Sequence, residues 1–181
     1  MSRVNIRMTA LCGLFICFAA ALSAFETWLP PICPIPGVRV GLGNIVTLFV
    51  LYLGGRWGAG QALCISVLRC FLAALITGSL MHAAYGIAGG VLALAAMLVV
   101  RWLMPKEKRE RYLPITGAFG AIFHITGQLM VAVLFYGTFS VLAYFPILLA
   151  SAVIGGAFTG ACTMLLLKKM DKRILDGVRK I

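Results

Sequence analysis

Long apolar stretches separated by short polar breaks dominate the chain. They are rich in Leu, Ala and Gly and lack the apolar–polar alternation of half-buried strands, so the pattern predicts helices and makes a barrel unlikely. At about 20 residues for each crossing, a chain of 181 residues allows about six membrane-spanning helices joined by short connections. The predicted helices cover residues 8–29, 41–53, 58–77, 81–103, 114–137 and 141–167. A basic loop follows the fourth helix, and the basic tail 168–181 is predicted to lie along the membrane interface.

The composition agrees with an all-α integral membrane protein. The 181 residues are 62% hydrophobic and have a mean hydropathy of +1.02, whereas soluble domains are about 45–50% apolar. We therefore expect a single polytopic domain over residues 1–181, in the inner or plasma membrane of a prokaryotic-type cell. A cleaved signal peptide is the alternative for the first segment, because Arg3 and Arg7 precede an apolar run and Ala21-Leu22-Ser23 resembles a cleavage site. The apolar run is long enough to span, which favours a retained helix.

The placement of positive charge predicts an orientation. Threading the six helices with the N-terminus inside puts 14 of the 16 Lys and Arg residues on the cytoplasmic side, with only Arg39 outside and Arg69 within a helix. This asymmetry is typical of membrane proteins, and it places both termini in the cytoplasm. The net charge of +11 therefore indicates membrane topology. We expect no nucleic-acid partner, because no soluble basic surface is predicted.

The segment from Glu26 to Asn44 is the most unusual part of the chain. Its four prolines and three glycines exclude a regular helix, yet it lies between two membrane helices. Irregular backbone at the edge of a membrane is tolerated where it lines a cavity or is covered by protein. We interpret the segment as one wall of a ligand site, with a rigid external connector as the alternative. Glu26, Arg39 and Asn44 are its candidate ligand contacts; Asn44 alternatively caps the second helix.

Arg69 lies well inside an apolar span. A charge at such a depth normally faces the bundle interior or a water-filled cavity. It is a candidate contact for an anionic ligand group, and an internal ion pair with Glu26 or snorkelling towards the interface are the alternatives. His124 and Gln128 are four residues apart and share one helix face. They form a second candidate contact pair, with hydrogen bonding between helices as the alternative.

Several kinds of site are missing from the sequence. It contains no P-loop motif, no nucleophile elbow and no His-Glu-x-x-His motif. Its only aspartates are Asp171 and Asp176, so no aspartate-rich motif is available to hold Mg²⁺ on a diphosphate. None of the six cysteines forms a Cys-x-x-Cys pair. We therefore expect no catalytic residue, no metal site and no cofactor.

The irregular segment from Glu26 to Asn44 and several later polar and glycine positions resemble motifs of the Gx transporter family. That family is often labelled heptaprenyl diphosphate synthase component I. The resemblance covers nearly the whole chain, and its most specific part is the Glu26–Asn44 segment with the residues on either side. Later matching positions are Arg69, Gly78, Gly89, Gly90, Gly117, His124, Gly127, Gln128 and Leu129. One departure is Ile125, since the family tends to place Asn after the His.

The resemblance implies a six-helix bundle similar to the substrate-binding S-components of energy-coupling factor transporters. Those proteins bind vitamins or related small molecules from outside. They dock through small residues of their first helix onto a transmembrane coupling protein driven by ATPases, and Ala20 and Ala24 match that docking face. We expect small-molecule uptake, with a non-catalytic membrane subunit of a polyprenyl diphosphate synthase or quinone-biosynthesis complex as the alternative.

Overall fold

The fold is entirely helical in the part of the chain that the structure, a computed structural model, describes: residues 3–28, 41–54, 58–78 and 80–170. These residues contain six α-helices, two 3₁₀ segments and no strand. The α-helices are α1 (Arg3–Trp28), α2 (Gly43–Leu53), α3 (Gly58–Thr77), α4 (Leu80–Leu103), α5 (Leu113–Tyr136) and α6 (Phe145–Lys169). The first 3₁₀ segment (Lys106–Tyr112) joins α4 to α5, and the second (Phe139–Tyr144) joins α5 to α6.

Five of the described helices are long and apolar enough to cross a membrane. Their windows have mean hydropathies between 1.8 and 2.2. Helix α2 is different, because its 11 residues extend only about 16 Å and a bilayer core is about 30 Å thick. The chain is therefore a multi-pass, all-α membrane protein, as the sequence predicted, with one of its helices too short to span alone.

The predicted helix ends lie within two residues of the observed ones except at the beginnings of α1 and α6, and α1 begins at Arg3 where residue 8 was expected. The predicted basic loop is largely a 3₁₀ segment, and the sixth helix begins at Phe145 where residue 141 was expected. Pro114 and Pro146 each lie in the first turn of the following α-helix. Proline suits that position because its fixed φ is helical and its missing N–H is not needed there. The interfacial tail predicted over residues 168–181 lies mostly outside the described residues.

Helix α2 forms the centre of the bundle. Nine of its 11 residues are buried, and it packs against α1, α3 and α6. Leu48 and Leu51 join Met97 of α4, Leu113 of α5 and Leu167 of α6 in the main apolar cluster. A helix that is apolar on all sides is stable only when it is enclosed, which explains why this short segment lies inside.

Glycines allow the close approach of α4, α5 and α6. A Cβ added to Gly156 would lie 2.8 Å from Cα of Ala118, and one added to Gly127 would lie 2.8 Å from the carbonyl oxygen of Ala88. Gly117 and Gly160 are equally close to the backbone of the facing helix. Small residues thus let these helices pack closely against each other.

Charge is concentrated at one end of the bundle, which we call the basic end. It is formed by the end of α4, the first 3₁₀ segment and the end of α6, which meet where Leu113 packs against Leu167. Its described cations are Arg101, Lys108, Arg109, Arg111, Lys168 and Lys169. Most of these side chains are exposed. The opposite end, by contrast, contains the cavity described next.

Candidate functional site

A cavity of about 540 Å³ opens between the helices at the end opposite the basic end. The ends of α1, α3 and α5 and the beginnings of α2, α4 and α6 contribute to its wall, together with the second 3₁₀ segment. Five of the six residues predicted as ligand contacts line it: Glu26, Asn44, Arg69, His124 and Gln128. The sixth, Arg39, lies outside the described residues. A volume of this size is in the range that accommodates a small organic ligand.

Arg69 lies at the wall formed by α1, α2 and α3, and its residue is 5% exposed. Its Nη1 donates to Oγ of Ser23 over 3.0 Å, and its Nη2 donates to Oδ1 of Asn44 over 2.6 Å. Its Nε has no hydrogen-bond partner among the described residues. Both acceptors are uncharged, so these contacts orient the guanidinium without neutralising its charge.

The position of this guanidinium depends on Gly43. A Cβ at Gly43 would overlap Nη1 of Arg69 and Oγ of Ser23, and it would lie 3.2 Å from Cζ of Arg69. Only glycine therefore leaves room for the arginine side chain to cross the first turn of α2 in this geometry. We name Ser23, Gly43, Asn44 and Arg69 the arginine cluster.

Glu26 binds backbone at the beginning of α2. Its carboxylate accepts the N–H of Gly41 over 2.5 Å and the N–H of Leu42 over 3.0 Å. The first N–H groups of a helix lack partners within that helix, and a carboxylate there also interacts favourably with the helix dipole. Gly41 has a φ of +76°, a conformation that favours glycine. Glu26 thus fastens the end of α1 to the beginning of α2 across the residues between them.

Two alternatives from the sequence are settled by these contacts. No ion pair joins Glu26 to Arg69 in the described part of the chain: Glu26 binds two backbone N–H groups, and Arg69 donates to two uncharged oxygens. Asn44 does not cap α2 through its side chain, which is committed to Arg69. Asn44 lies within the first turn of the helix, and its 8% exposure leaves the side chain buried beside the cavity.

The second polar group of the cavity lies on α5. Nε2 of Gln128 is 3.1 Å from Nε2 of His124, so the two side chains form a hydrogen bond along one turn of the helix. Space for the imidazole depends on Gly89 of α4, where an added Cβ would lie 2.9 Å from Nδ1 of His124. We name His124 and Gln128 the imidazole–amide pair.

An apolar wall lies next to this pair. Ile125, Leu129 and Leu148 line the cavity and, with Ala152, form a buried apolar cluster between α5 and α6. The cavity therefore combines a guanidinium, an imidazole–amide hydrogen-bonding pair and a hydrocarbon surface. Such a combination suits a ligand that is part apolar and part polar.

Sequence reasoning missed several residues of the cavity. Tyr85, Tyr136 and Tyr144 line it from α4, α5 and the second 3₁₀ segment. Aromatic residues near helix ends are also expected as membrane-interface anchors, so their position in the sequence did not distinguish the two roles. Ser23 was missed because only the fold brings it to Arg69.

The docking face predicted on α1 is not on the surface. Ala20 and Ala24 are 2% and 3% exposed, on a helix that packs against α2 and α3. Their small size serves close packing inside the protein. Both residues are covered by the protein itself in this conformation, so docking of a coupling protein through them stays a prediction that requires α1 to move.

A model of the family described as heptaprenyl diphosphate synthase component I matches residues 15–166. No curated protein and no solved structure matches the chain. The matched range contains the arginine cluster, Glu26 and the imidazole–amide pair, and it confirms the resemblance stated from the motifs. This chain therefore belongs to the heptaprenyl diphosphate synthase component I family.

Proposed function

We propose that this protein binds a small molecule and takes part in its uptake across the cell membrane, in the manner of an S-component. The cavity carries this proposal. It is about 540 Å³ in volume, it has polar and apolar walls, and a buried arginine with unused donors lies at its edge. A charge buried in a membrane bundle is costly, and binding of a polar substrate is a common reason for its presence.

The direction of uptake follows from the two ends of the bundle. Cytoplasmic loops of membrane proteins carry an excess of Lys and Arg. We therefore place the basic end in the cytoplasm and the opening of the cavity outside. The substrate enters from outside beside the beginning of α2, and release requires the helices around the cavity to move towards a second conformation.

The energy source that we propose is a coupling partner driven by ATPases. S-components work with a transmembrane coupling protein and ATPases, and the resemblance extends that arrangement to this chain. Because Ala20 and Ala24 are buried, such a partner would bind either elsewhere on the surface or after α1 has moved. We assign the chain itself a binding role with no catalytic step.

A non-catalytic membrane subunit of a polyprenyl diphosphate synthase complex is the second candidate, and the family description favours it. In that case the basic end would bind a soluble partner. The exposed cations Lys108, Arg111, Lys168 and Lys169 suit an acidic protein surface. The cavity would then have no transported ligand.

Native mass spectrometry separates the two candidates. The protein is extracted gently from the cells that encode it, as wild type, as Arg69→Gln and as Arg109→Gln. The last variant is the matched control, because Arg109 lies at the basic end and donates only to the carbonyl oxygen of Met104 among the contacts described. We expect a small molecule on the wild type and on the control, and its loss from Arg69→Gln.

The opposite result is equally clear. A wild-type protein that retains no small molecule, and that copurifies with a soluble synthase, would replace the uptake proposal with the complex-subunit candidate. Retention of the same molecule by all three proteins would show that Arg69 does not hold the ligand.

A further inference from the structure

We infer that the ligand is a compact amphipathic monoanion, with its anionic group at Arg69, its apolar body along the α5–α6 wall and a hydrogen-bonding group at the imidazole–amide pair. The inference rests on the proposed function and specifies its substrate class. Three independent features of the cavity support it: the donors left on the arginine, the arrangement of polar and apolar walls, and the number of charges present.

The donors of Arg69 identify the anionic end. A guanidinium has five N–H donors, and two are used by Ser23 and Asn44. Three remain, one of them on the buried Nε, which has no partner among the described residues. A planar guanidinium that lines a cavity and is held by neutral acceptors fits a carboxylate or a phosphate oxygen pair.

The walls identify the rest of the molecule. The arginine cluster belongs to α1, α2 and α3, whereas the imidazole–amide pair belongs to α5. Leu129 and Leu148 add hydrocarbon surface to the same cavity. A ligand that uses all three surfaces has an apolar body with an anion at one place and a neutral donor or acceptor at another.

The charges of the described lining residues favour a single negative charge on the ligand. Arg69 is the one Lys or Arg among the described lining residues, and Glu26 is the one acid, already bound to backbone N–H groups. The described residues contain no cluster of three or more His, Cys, Asp or Glu side chains that could hold a metal ion. The guanidinium of Arg69 balances one negative charge, and each further buried negative charge would need a cation besides it.

The test uses three probes with one body and different head groups: 1-naphthaleneacetate, 2-(1-naphthyl)ethanol and 2-(1-naphthyl)ethylamine. Each is titrated into the detergent-solubilised full-length protein, and both the thermal unfolding midpoint and the release of retained ligand are recorded. We expect the acid to bind at least about tenfold more tightly than the alcohol or the amine. Arg69→Gln should lower the affinity for the acid by about 10- to 100-fold, because the substitution removes charge-assisted hydrogen bonds.

Two further proteins keep the test interpretable. Arg69→Lys retains the charge but loses the planar fork, so it should bind the acid with intermediate affinity. Arg109→Gln, outside the cavity, should bind it like the wild type. Equal binding of the three probes, binding of none of them, or binding of the acid unaffected by Arg69→Gln would overturn the inference.

Mass spectrometry of the released ligand distinguishes this failure from failure of the proposed function. Release of a compact anion that is not a lipid supports both the inferred monoanion and the proposed uptake function. A neutral or cationic metabolite retained by the cavity is consistent with the uptake function but overturns the inference that the ligand is a monoanion. A phospholipid with an anionic headgroup also overturns it, because the anion would then come from the bilayer. No retained molecule in any variant counts against the uptake function itself.

Discussion

The arginine cluster and the imidazole–amide pair line the same cavity but are built differently. The cluster draws its members from α1, α2 and α3, and two hydrogen bonds to Arg69 connect them. The pair lies on a single helix, where the two side chains are one turn apart. The first region therefore contains a guanidinium and depends on tertiary structure, whereas the second is largely local. We expect the first to dominate affinity and the second to adjust selectivity.

The largest difference should appear when each region loses its central polar group. Arg69→Gln should reduce ligand affinity by about 10- to 100-fold, since hydrogen bonds to a charged group are worth about 1.5–3 kcal/mol. Gln128→Leu should reduce it by only about two- to tenfold, because a neutral hydrogen bond contributes about 0.5–1.5 kcal/mol. Titration of the retained ligand into each purified variant measures both. Equal losses in the two variants would contradict the proposed division of roles.

Gly43→Ala tests whether position as well as charge matters in the arginine cluster. The added Cβ overlaps the guanidinium, so Arg69 has to move while its charge remains. We expect affinity to fall by about tenfold, the loss of one charge-assisted hydrogen bond, with the helix content unchanged in circular dichroism. Gly60→Ala is the matched control, because nothing lies within 4 Å of a Cβ added there. Unchanged affinity in Gly43→Ala would show that the arginine geometry is unimportant.

Glu26→Gln should affect stability more than binding. The amide keeps one acceptor oxygen but loses the charge, so the N–H groups of Gly41 and Leu42 are no longer both well satisfied. We expect the free energy of unfolding to fall by about 1–2 kcal/mol, as it does when a helix cap is lost. Thermal unfolding in detergent measures this, with the exposed Glu107→Gln as control. A variant with normal stability but lost binding would instead make Glu26 a direct ligand contact.

Gly89→Ala should have the smallest specific effect on the ligand. The new Cβ would crowd both the imidazole and the backbone carbonyl oxygen of His124. This crowding should shift the imidazole–amide pair while the arginine cluster stays in place. We expect affinity to change by no more than about tenfold and affinity for the acid probe to remain dependent on Arg69. If Gly89→Ala abolished binding altogether, the pair would be as important as the arginine.

The sequence predicted local features of this protein well. The positions of the helices follow from apolar runs of about 20 residues, and the pairing of His124 with Gln128 follows from their four-residue spacing. The burial of Arg69 inside the bundle follows from the cost of placing a charge among apolar residues. Each of these inferences needs only neighbouring residues and the chemistry of the membrane.

Features that depend on several helices could not be predicted. Glu26 binds backbone N–H groups 15 and 16 residues away, and no side-chain pattern reveals a backbone partner. Ala20 and Ala24 have the spacing of a helix-packing motif, but the spacing does not state whether the facing helix belongs to the same chain. The tyrosines of the cavity were ambiguous for a similar reason, since aromatic residues at helix ends suit both a binding site and a membrane interface.

The short, buried helix α2 also connects the two ends of the molecule. At its beginning, Asn44 holds Arg69 at the cavity; at its end, the carbonyl oxygen of Leu51 accepts a hydrogen bond from Arg101, and the hydroxyl of Tyr52 lies 3.0 Å from Oγ1 of Thr116. A helix of three turns behaves as a stiff rod of about 16 Å. A ligand that displaced Asn44 along this rod would therefore strain the contacts of Leu51 and Tyr52 near the basic end.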